Sequence, residues 1–216
     1  MAALGPSAGL VAKASAIGVM LMIIAGVGFW WGEARTDYQS GIGWPLDQPV
    51  PFSHEHHVAG LGIDCRFCHS GVEQSAHAGL PPTYTCMTCH SQVWTNAAML
   101  APVRDSLAEN RPIRWNRVND LPDYVYFNHA IHVAKGVGCA NCHGELDRMK
   151  LTAKAHSFSM TFCLDCHRDP GPNLRPRQAE FDLHWRRDET TPSPRQLLEF
   201  YHIGGRRLTD CTVCHR

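Results

Sequence analysis

Residues 127–143 read FNHAIHVAKGVGCANCH, and residues 52–69 read FSHEHHVAGLGIDCRFCH. Both contain Phe-x-His-x-x-His-Val-Ala, a glycine-bearing link and Cys-x-x-Cys-His, with Asp64 as an extra residue in the link of the earlier copy. Each copy runs on into a second Cys-x-x-Cys-His, so residues 52–90 and 127–167 read as an internal duplication. A fifth pentapeptide, 211–215, closes the chain. The first cysteines lie 21, 53, 24 and 48 residues apart, a rhythm that suits a repeated pair followed by a single motif.

Every one of the 10 cysteines falls in this pattern: Cys65 and Cys68 before His69, Cys86 and Cys89 before His90, Cys139 and Cys142 before His143, Cys163 and Cys166 before His167, Cys211 and Cys214 before His215. The pentapeptide is the attachment signature of c-type haem, in which two thiols add to the vinyl groups and the adjacent imidazole lies under the iron. Five covalently bound haems c (Fe) are expected, with His69, His90, His143, His167 and His215 as proximal ligands. Structural zinc pairs Cys-x-x-Cys knuckles into four-ligand sites, and five knuckles do not pair. A framework of disulfides suits an oxidising compartment but leaves the histidines unexplained. With 14 histidines in 216 residues, one following the second cysteine five times over has a chance of about one in a million, so the whole pentapeptide is the unit.

The other histidines are His54, His56, His57, His77, His129, His132, His156, His184 and His202. A six-coordinate iron suits electron transfer, whereas substrate chemistry needs a vacant position. In Phe-x-His-x-x-His the two imidazoles share one side of a helical turn and can reach two different irons. The expected distal ligands are therefore His54, His57, His129 and His132. For the fifth iron Met149 is the candidate, with Met160, His156, His184 and His202 as rivals; a thioether raises the potential of its haem.

Twenty Lys and Arg against twenty Asp and Glu give a net charge of zero, without the basic stripe that nucleic-acid binding requires. Residues 14–32, ASAIGVMLMIIAGVGFWWG, carry no charge and at about 1.5 Å per residue span about 30 Å of hydrocarbon. They read as a transmembrane anchor, with Trp30 and Trp31 at the interface, and the run is longer than the apolar core of a signal peptide and lacks an Ala-x-Ala site after it. The expected organisation is a cytoplasmic N-terminus over 1–13, the anchor over 14–32, a linker over 33–51 and a haem domain over 52–216. Because haem is attached outside the cytoplasm, that domain is expected on the periplasmic or outer face of a bacterial inner membrane.

The expected fold is mainly coil with short α-helices wrapped around five c-type haems, plus one N-terminal transmembrane α-helix. Helices are expected at the haem motifs, near Pro102–Glu109, and from Ser193-Pro194 to about Tyr201, where Gln196 completes a capping box. Arg168–Pro176 reads as an extended strap.

The anchor, the five motifs and the stretches AGLPPTYTCMTCHSQVW, DLPDYVYFNHAIHVAKGVGCANCHGELDRM and SMTFCLDCHRDP resemble the pentahaem cytochrome c subunit of alternative complex III, a bacterial quinol:electron acceptor oxidoreductase. The paired histidines also resemble those of class III multihaem cytochromes, where they are distal ligands. The resemblance implies an electron-transfer subunit without a catalytic site of its own. Its implied partners are an iron–sulfur subunit, polytopic quinol-binding subunits, and a monohaem cytochrome c or terminal oxidase as acceptor. The alternatives are a self-contained membrane quinol dehydrogenase feeding periplasmic reductases, and a multihaem nitrite-type reductase, which requires a five-coordinate iron.

Overall fold

A computed structural model describes residues 6–204 and 208–215. The chain divides into two compact units, Met1–Gly41 and Ile42–Arg216. In the first, helix α1 runs over Pro6–Glu33, starting upstream of the uncharged stretch and taking in Lys13. Its most apolar window has a mean hydropathy of 2.2 with none of it buried, so its length and composition are those of a helix able to cross a membrane. Apolar side chains surround it without forming a stripe, unlike a helix that packs one face on a soluble core. Helix α2 (Asp37–Ser40) follows, capped by the Thr36 hydroxyl, which accepts from the Gln39 N–H.

The second unit is coil punctuated by short helices: α3 (Cys65–Cys68), α4 (Thr83–His90), α5 (Ala101–Ala108), α6 (His129–Ala134), α7 (Ala140–His143), α8 (Met160–Arg168), α9 (Pro194–Phe200) and α10 (Cys211–Cys214). Among the described residues the extended pairing is confined to isolated bridges, Ile42 with Lys154, Pro45 with Ala153 and Val137 with Leu174. Local chemistry explains where the helices start. Asp64 accepts from the Arg66 N–H, Asn128 from Ile131, and Ser159 from Phe162. At α9 the expected capping box is formed, with Ser193 accepting from the Gln196 N–H and the Gln196 side chain accepting from the Ser193 N–H. Proline opens the first turn of both α5 and α9.

The two Phe-x-His-x-x-His copies fold differently. The later copy makes the α-helix α6, whereas the earlier makes a π turn over Glu55–Gly60. Eight residues separate His57 from Cys65 and seven separate His132 from Cys139. The wider i→i+5 turn takes up more chain per revolution, so it accommodates the longer link while keeping the histidines in register with the motif.

Among the described residues, buried apolar side chains form two small clusters: Val50, Leu100 and Val103, with Trp115 and Ile113 against them, and Leu174, Leu197 and Tyr201, with Val137, Leu198 and Ile203. The second cluster clamps the backbone ahead of the third motif. The Arg175 N–H donates to the Gly136 carbonyl (2.8 Å), the Lys135 ammonium to the Tyr201 carbonyl (2.6 Å), and the Tyr201 hydroxyl to the Arg175 carbonyl (2.7 Å). Gly136 has φ +76°, and a Cβ there would come within 2.4 Å of the Tyr201 side chain. Leu174 is 0% exposed; Leu174→Ala is expected to cost about 2–5 kcal/mol, seen as a lower thermal midpoint, while an alanine at exposed Leu151 leaves the midpoint nearly unchanged.

Candidate functional site

Each motif occupies roughly one helical turn. The His69 N–H donates to the Cys65 carbonyl at 2.8 Å, and the same closure joins His143 to Cys139 (2.9 Å) and His215 to Cys211 (2.8 Å). Cysteines at i and i+3 and histidine at i+4 therefore share one face. All ten thiols are free. Among the described residues no group of three or more His, Cys, Asp or Glu side chains is placed to hold a metal ion, so the cysteine pairs do not assemble into zinc knuckles.

The thiols also report which motifs are neighbours. Burial raises Cys68, with Cys86 of the second motif adding to it, and burial pushes Cys139 up to about 11, with Cys65 of the first motif next in importance. Burial takes Cys142 up to about 12, reinforced by Cys166 and Cys163, and Cys163 is raised by burial and by Cys214 of the fifth motif. The thiol pairs that neighbour one another are thus those of the second and first motifs, the first and third, the third and fourth, and the fourth and fifth.

Three motif histidines face an upstream histidine. Ring centres are 6.2 Å apart for His57 and His90, 6.3 Å for His129 and His143, and 6.1 Å for His132 and His167. One metal ion bonded to both imidazoles, with nitrogen–metal bonds of about 2.0 Å and roughly 1.1 Å from nitrogen to ring centre, requires about this separation. The His54 imidazole is brought down to about 4 by burial first and by the nearby His69 next. His143 is likewise held at about 4 by burial, followed by His129, His69 and His54. Both are neutral near pH 7, the form that can ligate a metal.

The nitrogen on the far side of every one of these rings is engaged. His69 Nδ1 meets the Gly79 carbonyl (2.7 Å), His90 that of Val93 (3.1 Å), His167 that of Leu208 (2.9 Å) and His215 that of Tyr124 (3.1 Å). His57 and His132 turn back on Ser53 (2.8 Å) and Asn128 (2.7 Å), four residues upstream in both copies. An Nδ1–H given to a carbonyl leaves the Nε2 lone pair free for a metal. Phe52 and Phe127 hold the rings in matching poses: edge-on to His54 and His129 (4.9 and 4.7 Å), stacked on His57 and His132 (4.4 Å each).

The two repeats also orient each other. His54 Nδ1 meets the Thr152 hydroxyl of the later unit at 3.0 Å, while His129 Nδ1 meets the Ala76 carbonyl of the earlier one at 2.8 Å. No motif in the sequence marks Thr152, Ala76 or the other carbonyl partners, because a carbonyl belongs to any residue; only the fold brings them in.

The candidates for the fifth site make different contacts. The Met149 carbonyl accepts from the Glu55 N–H (3.1 Å), and its methyl lies against Gly144. Met160 opens α8, one turn before Cys163, and is exposed. His156 stacks on Phe162. His184 presents Nε2, the nitrogen that must be free for a metal, to Asp147 at 2.6 Å. His202 takes up φ +51° after α9. Beside the fifth motif itself, the Tyr126 N–H donates to the Cys214 carbonyl at 2.8 Å.

Helical turns with two free thiols and an imidazole, several of them faced by a second imidazole, are the donor set that covalent attachment and axial ligation of c-type haem call for. No protein-family model matches the chain. Over 128 residues it is 33% identical to the menaquinone reductase multiheme cytochrome c subunit of Nitratidesulfovibrio vulgaris Hildenborough. The aligned stretch is 59% of this chain and 56% of the relative, so the chain spans about half the length of the curated relative it matches.

Proposed function

We propose that this chain is a membrane-anchored pentahaem c-type cytochrome that relays electrons from quinol oxidation within a respiratory membrane complex. The observation that carries this reading is the set of facing imidazoles with engaged Nδ1 atoms beside free thiol pairs. Each thiol pair would hold one haem, and the iron ligands would be His69 with His54, His90 with His57, His143 with His129, and His167 with His132. Haem, when bound, supplies a one-electron carrier at each motif. The protein's part is to keep each Nε2 aimed by its Nδ1 hydrogen bond and to set the attachment points in single file.

The relative's role in a menaquinone reductase supports a subunit of a quinone- or quinol-linked complex. Within that class we assign the chain to an alternative complex III-like assembly. There it would sit beside an iron–sulfur subunit and polytopic quinol-binding subunits and pass electrons to a monohaem cytochrome c or a terminal oxidase. Helix α1 would be its single anchor, with the haem unit on the periplasmic side. Purified from native membranes, the chain is expected to bring polytopic subunits with it and to be reduced on addition of quinol. Isolation alone, with reduction only by soluble donors, would contradict the assignment.

At the fifth iron, that of His215, the sequence candidate Met149 is drawn away toward the first and third motifs, its carbonyl bonded to Glu55 and its methyl against Gly144, so Met160, whose helix carries the Cys163 that neighbours Cys214, is the proposed second ligand. Met160→Ala is expected to abolish the near-infrared thioether-to-iron band of the oxidised protein. An unchanged band in Met160→Ala, with loss of the band in Met149→Ala, would return the role to Met149.

A further inference from the structure

Four of the five motif histidines rest Nδ1 on a backbone carbonyl. His143 alone meets a side chain: the Asn119 amide nitrogen lies 2.9 Å from its Nδ1. The other end of that amide, Oδ1, is buried without a partner. An amide N–H donating to Nδ1 would force the ring proton onto Nε2, the atom that has to face His129 with a free lone pair. The oxygen and nitrogen of an amide are interchangeable by a half-turn about its last bond. After that turn Oδ1 accepts from Nδ1–H, as the four carbonyls do, and the NH2 group is left facing the buried space where the oxygen now has no partner.

We propose that Asn119 is the positioning residue of the third motif, its amide oxygen accepting from His143 Nδ1–H and thereby fixing the ligating tautomer and the electron-donating strength of that imidazole. The inference rests on the proposal that His143 binds a haem iron. A side chain in this place, unlike a carbonyl, can change its charge or vanish by substitution, so at the third site a single residue can set the potential through the motif histidine itself. The sequence carries no sign of it, since Asn119 lies outside both repeats, 24 residues from its partner.

The test uses the full-length, haem-loaded protein. Pyridine haemochrome counting of the wild type comes first: fewer than five haems would overturn the parent reading and leave the role of Asn119 without a basis. With five present, Asn119→Asp, which can only accept and adds negative charge, is expected to keep all haems low-spin and to lower one of the five midpoint potentials. Asn119→Leu is expected to raise that same potential and to move one low-spin signal in the electron paramagnetic resonance spectrum. A tenfold change in the preference of the site for ferric over ferrous iron corresponds to about 59 mV for one electron. Potentials and spectra unchanged in Asn119→Asp, the variant that retains hydrogen bonding and shape, would overturn the proposal whether or not Asn119→Leu folds.

Discussion

Replacing Cys139 and Cys142 together by alanine is expected to remove one haem of five and to separate the remaining ones into two groups that no longer exchange electrons. The third motif neighbours Cys65 of the first through Cys139, and Cys163 and Cys166 of the fourth through Cys142, so in the proposed relay it joins the two halves. It is also the motif on which the C-terminal clamp closes. The Cys139 N–H donates to the Glu180 carbonyl, and the Asn141 side chain links Arg175 (2.6 Å) with the Asn173 carbonyl (2.9 Å). Loss of the haem here would therefore loosen packing as well as conduction. Haem counting, together with stopped-flow reduction by quinol, reads both effects: four haems per chain, with only part of them reduced in the fast phase. The same double substitution at Cys211 and Cys214 is expected to remove one haem and leave the other four reducible together. Equal behaviour of the two variants would contradict the order of sites.

The second large effect is expected from the distal histidines. His129→Ala and His132→Ala should each leave the haem count at five while turning one low-spin iron high-spin, because the thioether bonds do not depend on the sixth ligand. The two variants should differ in kind. His132 is held within its own helix by Asn128, whereas His129 reaches across to Ala76 and, with the Ala130 N–H donating to the Ser75 carbonyl, ties the later repeat to the earlier one. His129→Ala is therefore expected to lower the thermal midpoint more than His132→Ala. His184→Ala is the control: its Nε2 is bonded to Asp147, and its removal is expected to leave the spin state unchanged. A high-spin signal appearing in His184→Ala would mean that the distal ligands have been misassigned.

Much of this was legible in the sequence because its signals are local. A Cys-x-x-Cys-His turn brings its three functional groups together within five residues, and the capping box at Ser193 and Gln196 is complete within four. The proline-opened α5 near Pro102–Glu109 and the scarcity of extended structure followed from the same kind of reading, although a 3₁₀ turn over Gly171–Asn173 interrupts the expected strap. What was hidden depends on contacts distant in sequence. The π turn at Glu55–Gly60 exists because one extra residue in the link has to be taken up without moving His54 and His57 relative to Cys65, a constraint visible only when both copies are seen folded. Thr152, Ala76 and Asn119 act on histidines 98, 53 and 24 residues away. The segment between the repeats, in which the sequence marks a helix near Pro102–Glu109 but no site residue, supplies Asn119 to the third motif and Tyr124 and Tyr126 to the fifth.

Among the described residues the buried apolar side chains gather in two small clusters, and on the proposed reading five bound haems would supply the apolar packing that a larger core supplies elsewhere. The intact mass of the denatured chain isolated from its native membrane measures this most directly. A mass equal to the polypeptide plus five protohaems is the predicted result, and a mass equal to the bare polypeptide, or one carrying fewer than five, would contradict it.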